Sequence, residues 1–358
     1  MKFFHLSDLH LGRRIYEFSL IDDQKYILKE ILRRTDEGHP DAVVIAGDIY
    51  DRAVPSAEAV ELFDSFLTEL AGRHIPVLAI AGNHDSPERI AFGAGLMAPS
   101  GVYLSPVYNG RVEPVTLSDT YGEVRFYLLP FIKPAPVRRF YPDAVIESYT
   151  DALRCAVEHM DIEPSARNVL VTHQFVTGGV RSESEDITVG GTDNVDAAVF
   201  DGFDYVALGH LHGAQSIGRE TLRYSGTPLK YSFSEKDQEK SITVVELGEK
   251  GSVSISTLPL TPQRDMREVR GTYDELTLRG NYAGTNTDDY IHAVLTDEND
   301  IPNAFSRLQS IYPQLMKLDY DNRRTRTSVV IAAEERRRTM TDTELFAEFF
   351  EKLNGQKM

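Results

Sequence analysis

Five short polar motifs interrupt apolar runs in this sequence. They are Asp8-Leu9-His10, Gly47-Asp48-Ile49-Tyr50-Asp51, Gly82-Asn83-His84-Asp85, Thr172-His173 and Gly209-His210-Leu211-His212. Carboxylate, imidazole and amide oxygen together suit Mn²⁺, Fe²⁺ or Zn²⁺, and the lack of thiolates argues against a structural zinc site. Asp8 and His10 are two residues apart, so on an extended segment they point to one side; His210 and His212 repeat that spacing. Asp48 follows a glycine, which permits a tight turn. Its two oxygens could bridge a pair of ions about 3.5–4 Å apart. Taken singly, each motif has an ordinary explanation. Gly-Asp after a strand is turn chemistry, and a single histidine there is more often a satisfied polar residue. Their joint placement carries the metal reading.

That placement depends on the elements between them. Residues 2–6, 42–46 and 77–81 are apolar strand patterns, each running into one of the first three motifs. Leu20, Ile27, Leu28, Ile31 and Leu32 recur at helical spacing. A second helix opens at Ser56, a good N-cap, with the stripe Ala59, Val60, Phe63, Phe66, Leu67 and Leu70. Strand–helix–strand units of this length imply a largely parallel sheet. Further strands are expected at 124–129, 168–172 and 205–208, with a helix through Ile146, Tyr149, Leu153, Val157 and Met160. All five motifs then fall at C-terminal strand ends, where open α/β sheets place their ligands. Short strand-like runs follow near 222–225, 241–247 and 252–258. A small α/β unit is expected over 266–322, with a strand near 290–296 and a helix near 302–311. A final helix is expected at about 342–353, opened by the capping box Thr341/Glu344.

The composition suits a folded chain, with 41% hydrophobic and 26% charged residues, too apolar for disorder. At 358 residues the chain is long enough for about two domains. The N-terminus lacks the apolar core of a signal peptide, and nothing approaches a membrane span. A single cysteine, Cys155, excludes an internal disulfide framework and fits a reducing cytoplasm. The net charge of −17 sits awkwardly with a nucleic-acid partner.

The ordered set of motifs resembles the calcineurin-like metallophosphoesterase superfamily. More closely, it is similar to the bacterial nuclease subunits of that superfamily that act with an ATPase in double-strand-break repair. The closer likeness adds Val189-Gly190-Gly191-Thr192-Asp193, Arg223-Tyr224-Ser225-Gly226-Thr227-Pro228 and Tyr231-Ser232-Phe233, and it weakens after about residue 265. The resemblance implies a four-layer α/β/β/α sandwich, then a small α/β capping domain and a C-terminal helix. The corresponding domains are residues 1–262 (nuclease), 263–322 (capping and DNA binding) and 323–358 (basic segment and partner-binding helix).

It also implies a binuclear Mn²⁺ centre. The first ion would take Asp8, His10, Asp48 and His212, and the second Asp48, Asn83, His173 and His210. His84 matches the family's non-ligand catalytic histidine, oriented by Asp85 or Asp51. Archaeal members carry histidine at the position of Asp51, which leaves open the balance of exonuclease and endonuclease action.

The function implied is an exo/endodeoxyribonuclease in the cytoplasm, working as a homodimer with its ATPase in a heterotetramer on duplex ends and hairpins. Arg13, Arg14, Arg52, Arg89 and Lys133 are candidate phosphate binders beside the motif loops. Arg323, Arg324, Arg326, Arg336, Arg337 and Arg338 form a basic stretch before the Phe-rich terminal helix. That helix either packs on its own domain or docks on the ATPase. The competing readings are a small-molecule phosphodiesterase or phosphoprotein phosphatase of the same superfamily, or a non-catalytic scaffold. A scaffold should have lost ligands, yet all seven ligand positions are filled.

Overall fold

The computed structural model describes residues 1–185 and 193–326. The chain divides into two compact units, Met1–Asp265 and from Met266 onward.

Two six-stranded sheets form the first unit. In the first sheet the order is Val253–Pro259, Ser241–Leu247, Lys2–Leu6, Ala42–Ile45, Val77–Ala79 and Val102–Leu104. In the second it is Gln215–Ile217, Arg219–Tyr224, Tyr205–Gly209, Arg167–His173, Gly122–Leu129 and Pro114–Asp119. Alternation along each strand sends every second residue into the space between the sheets. Phe3, Val44, Leu78 and Val245 from the first sheet meet Phe126, Val169, Val171 and Tyr205 from the second there. Phe3 packs edge-on against both Phe126 and Tyr205.

The outer faces are covered by helices. Helix Ile21–Gly38 buries Ile27, Leu28, Ile31 and Leu32. Its Gly38 lies so close to the Phe4 ring that an added Cβ would meet it at 2.7 Å. Helix Ala57–Gly72 starts where Ser56 Oγ accepts from the Ala59 N–H and buries Phe63, Phe66, Leu67 and Leu70. Val60, expected in that stripe, is 44% exposed. Helices Pro134–Phe140 and Tyr149–Glu158 pack Val137, Leu153 and Ala156 against Leu129, Leu170 and Val206 of the second sheet. The result is the four-layer α/β/β/α sandwich.

Sequence alternation suggested largely parallel sheets. Both are mixed: the first has antiparallel pairs at one edge and a parallel pair at the other, and the second is antiparallel at both edges. The antiparallel partners of the first sheet, Ser241–Leu247 and Val253–Pro259, arrive through a short connection that needs no crossover helix.

The second unit is a three-stranded parallel sheet, Met266–Gly271, Tyr290–Leu295 and Leu315–Tyr320. Ile291, Ala293, Leu295 and Leu315 pack with Leu276, Ala304 and Leu308 from its helices. Residues 327–358, with Arg336–Arg338 and the capping box Thr341/Glu344, lie outside the described residues, as do Val189–Thr192. Among the described residues no helix is long and apolar enough to cross a membrane.

Candidate metal centre

Lys2–Leu6, Ala42–Ile45 and Val77–Ala79 are parallel neighbours in the first sheet, so their C-terminal ends share one edge. Arg167–His173 and Tyr205–Gly209 are parallel neighbours in the second. The five motifs leave these ends and meet where the sheets adjoin. Backbone bonds lock the loops together: Asp8 N–H to Gly47 O at 3.0 Å, His10 N–H to Asp48 O at 2.9 Å and Leu11 N–H to Ile49 O at 2.9 Å.

Turning the side chains into one space strains the backbone. Asp8, His10, Asp48 and His210 all have positive φ, at 53°, 45°, 48° and 105°. Non-glycine residues adopt such values uncommonly, aspartate and histidine more often than most. Two glycines permit the convergence. A Cβ on Gly82 would stand 2.1 Å from Asp48 Oδ1, and one on Gly209 would stand 1.9 Å from the Ala46 carbonyl oxygen in the other sheet.

Ligand-type atoms gather in overlapping groups: Asp8, His10 and His212; His10, Asp48 and His84; Asp8, Asp48 and His173. Within each group the atoms lie within 4.8 Å of one another. His10 Nε2 and His212 Nε2 face each other at 3.1 Å. Asn83 Oδ1 lies 3.0 Å from both His173 Nε2 and His210 Nδ1. Two nitrogens bound at about 2.1 Å to one ion, at right angles, are separated by roughly 3 Å. Asp48 Oδ2 stands between the groups, 3.7 Å from His10 Nε2 and 3.3 Å from His173 Nε2.

Burial and mutual charge set the protonation of these groups. His173 Nδ1–H donates to the Ala46 carbonyl at 2.8 Å, which turns Nε2 toward the site. Burial lowers His10, His212 and His210, the last to about 3, so these rings are neutral. Neutral imidazole is the ligating form. Burial pushes the Asp8 carboxyl up to about 8, with Asp48 adding to the shift. Burial also raises Asp48, but His173 beside it, by charge and by hydrogen bond, outweighs burial and holds that carboxyl low. Burial pulls His173 down, but the Asp48 and Asp8 carboxyls outweigh it and push it up to about 9, so without an ion protons on His173 and Asp8 balance the site, and divalent cations would replace them.

Of the two residues expected to orient His84, Asp51 reaches the ring through its backbone, and the carboxylates of both have other partners. His84 Nδ1 lies 3.1 Å from the Asp51 backbone carbonyl. The Asp51 carboxylate pairs with Arg13 at 2.7 Å and lies 3.8 Å from His10 Nδ1. Asp85 accepts three backbone N–H bonds, from Ile49, Tyr50 and Gly82 at 2.9–3.0 Å, fastening two motif loops together. His84 itself is partly exposed, with its N–H on Asp48 Oδ1 at 2.9 Å and its Nε2 3.9 Å from Asp48 Oδ2.

Of the candidate phosphate binders, Arg13 is held within the site. Arg14, Arg52, Arg89 and Lys133 are exposed. Around the site stand residues to which the sequence reading gave no role, Tyr231 among them although its motif was noted. Gln24 Nε2 donates to the His10 carbonyl at 2.7 Å, and the Tyr231 hydroxyl donates to the Leu9 carbonyl. Glu185 accepts the His212 N–H at 2.6 Å. Ser184, Glu235 and Lys240 stand behind His212. The one available signal was Tyr231-Ser232-Phe233, which stops two residues before Glu235.

Residues 1–214 match the family model described as calcineurin-like phosphoesterase, and the chain belongs to that family. Residues 262–354 match a second model, described as type 5 capsule protein repressor C-terminal domain. The chain is 34% identical over 322 residues to the SbcD subunit of the SbcCD nuclease of Staphylococcus epidermidis, covering 89% of this chain and 85% of that one. To the protein of the same name from Staphylococcus saprophyticus it is 35% identical, covering 89% and 84%. Among solved structures, a dimetal phosphatase from Danio rerio aligns with a TM-score of 0.41 at 12% identity, covering 73% of this chain and 98% of that one. The protein TT1561 of Thermus thermophilus aligns with a TM-score of 0.39 at 12% identity, covering 72% and 98%. Within its family the chain is of the SbcD nuclease type, a phosphodiester hydrolase.

Proposed function

We propose that this chain is a Mn²⁺-dependent DNA nuclease subunit acting with an SbcC-like ATPase in DNA recombination, repair and replication. Its activities are a double-strand 3′–5′ exonuclease and a hairpin and single-strand endonuclease, and its compartment is the cytoplasm. The observation that carries this reading is Asp48, whose carboxylate faces two histidine groups drawn from different sheets. Asp8, His10, Asp48 and His212 hold one ion; Asp48, Asn83, His173 and His210 hold the other. The chemistry that such a pair supplies when bound is water activation and neutralisation of phosphate charge.

The chain's own residues do the rest. His84, at the open side of the site, supplies a proton to the leaving sugar oxygen, a task suited to imidazole near neutral pH. Asp85 and Asp51 are positioning residues, Asp85 for the loops and Asp51 for Arg13 and His10. Arg13, Arg14, Arg52 and Arg89 contact the phosphate backbone. Residues 263–322 cap the duplex, and the terminal helix carries the ATPase contact. Two copies of the subunit pair within the heterotetramer.

The test compares cleavage of hairpin and blunt duplex DNA with hydrolysis of bis-p-nitrophenyl phosphate, with and without Mn²⁺. Mn²⁺-dependent cutting of DNA is expected. Hydrolysis of the small ester with DNA left intact, even with the ATPase present, would move the chain to the small-molecule reading.

A further inference from the structure

Behind His212, on the side away from the other ligands, a chain of buried polar groups ends in an ion pair. Ser184 Oγ lies 2.6 Å from His212 Nδ1 and donates its proton to Glu235 Oε1. A hydroxyl has one proton to give. With that proton on the carboxylate, the His212 contact runs the other way: His212 Nδ1–H donates to Ser184 Oγ. The ring is thereby fixed with its Nε2 lone pair toward His10 Nε2, 3.1 Å away.

Glu235 is fully buried and itself anchored. Lys240 Nζ donates to Glu235 Oε2 at 2.6 Å, to Thr227 Oγ1 at 2.7 Å and to the His212 carbonyl at 2.9 Å. The segment carrying Ser184 is fastened at two further points. Glu185 Oε1 accepts the His212 N–H, and Arg13 Nη2 reaches the Ser184 carbonyl at 3.3 Å. A buried lysine–glutamate pair costs desolvation on both sides, and here both partners turn hydrogen bonds on His212 or on its support Ser184.

We propose that Ser184 and Glu235 are positioning residues that fix the tautomer and direction of His212, and so set the affinity of one of the two ion sites independently of the other. The inference rests on the two-ion centre proposed for this chain. It assigns the first-ion site a serine-bridged carboxylate relay, where a ligating histidine more often donates straight to a carboxylate, carbonyl or water. His173 uses the carbonyl form, on Ala46, so the two sites have supports of different kinds.

The experiment is Mn²⁺ titration of the full chain without DNA, followed by the electron paramagnetic resonance of free Mn²⁺. Two ions should bind the unmodified chain. In Ser184→Ala one class of site should weaken by about 10- to 100-fold, with the other unchanged and the unfolding temperature retained. Ser184→Thr, which keeps the hydroxyl, should restore the affinity. Glu235→Gln should weaken the same class, and the double variant should be no worse than the worse single one. Equal affinities in Ser184→Ala and the unmodified chain would overturn the inference while leaving the two-ion reading intact. Uniform weakening of both classes, or failure of Ser184→Thr to rescue, would also overturn it. A chain that binds no pair of ions would remove the metal reading and this inference with it.

Discussion

At the scale of single residues, the roles of His84 and Asp85 separate cleanly. His84 reaches the site from its open side, and the expected first-ion and second-ion ligands do not include it. His84→Ala should therefore keep both ions and lose about 10²- to 10⁴-fold in turnover. Full turnover with unchanged metal content would remove His84 from the chemistry. Asp85 has no such exposure, since its carboxylate is spent on three backbone N–H groups. Asp85→Ala leaves Ile49, Tyr50 and Gly82 N–H buried without that acceptor, a loss of roughly 3 kcal/mol or more. Chemical denaturation should show it even without metal. The clustering of the motif side chains was legible in the sequence because each motif follows an apolar strand. Ser184, Glu185, Glu235 and Lys240 were not legible. They are common residue types in irregular segments, and they meet His212 only through long-range contacts that no local period encodes.

Elements set where those residues meet. The sandwich is pinned at both ends of its sheets, by different means. At the ligand end the pin is proximity, with Gly209 of one sheet against the Ala46 carbonyl of the other. Gly209→Ala should lower stability by about 1–3 kcal/mol and weaken ion binding together, read by thermal unfolding and Mn²⁺ titration. At the far end the pin is Arg167. It forks onto Asp119 within its own sheet and donates to the Gly248 carbonyl beyond the other sheet's strand Ser241–Leu247, at 3.0 Å. Its hydrogen bonds hold the Asp119 carboxyl well below the ordinary 3.8. A carboxyl depressed in the folded state contributes stability above its unfolded pKa and loses it as pH falls. Asp119→Asn should therefore be less stable than the unmodified chain at neutral pH, and the gap should close as pH drops below about 4. A gap that is constant with pH would show that Asp119 acts through packing alone. The sequence pattern found most strands facing the inter-sheet core, because they are buried on both sides. It passed over Pro114–Asp119, a half-exposed edge strand whose apolar alternation is only Val115 and Leu117.

For the molecule as a whole, the charge of −17 constrains how DNA is held. Long-range attraction to phosphate is weak for such a chain, so grip depends on local positive charge. Gel-shift titrations should find poor duplex affinity for the metal-free chain alone, improved by Mn²⁺ and by the ATPase partner. Tight metal-independent binding by the isolated chain would contradict this. Deleting residues 341–358 should abolish ATPase capture and leave cleavage of bis-p-nitrophenyl phosphate unchanged.

The meeting of the motifs at a seam between sheets also governs when activity can begin. Asp8, His10, Asp48 and Asn83 leave the ribosome early, whereas His173, His210 and His212 follow much later and belong to the other sheet. A nascent chain therefore carries four of the seven proposed ligands without the other three. Its first-sheet loops are tied by their own backbone bonds, but no second-sheet histidine joins them until Arg167–His173 and Tyr205–Gly209 dock. On the two-ion reading, cutting should begin only with the closed sandwich.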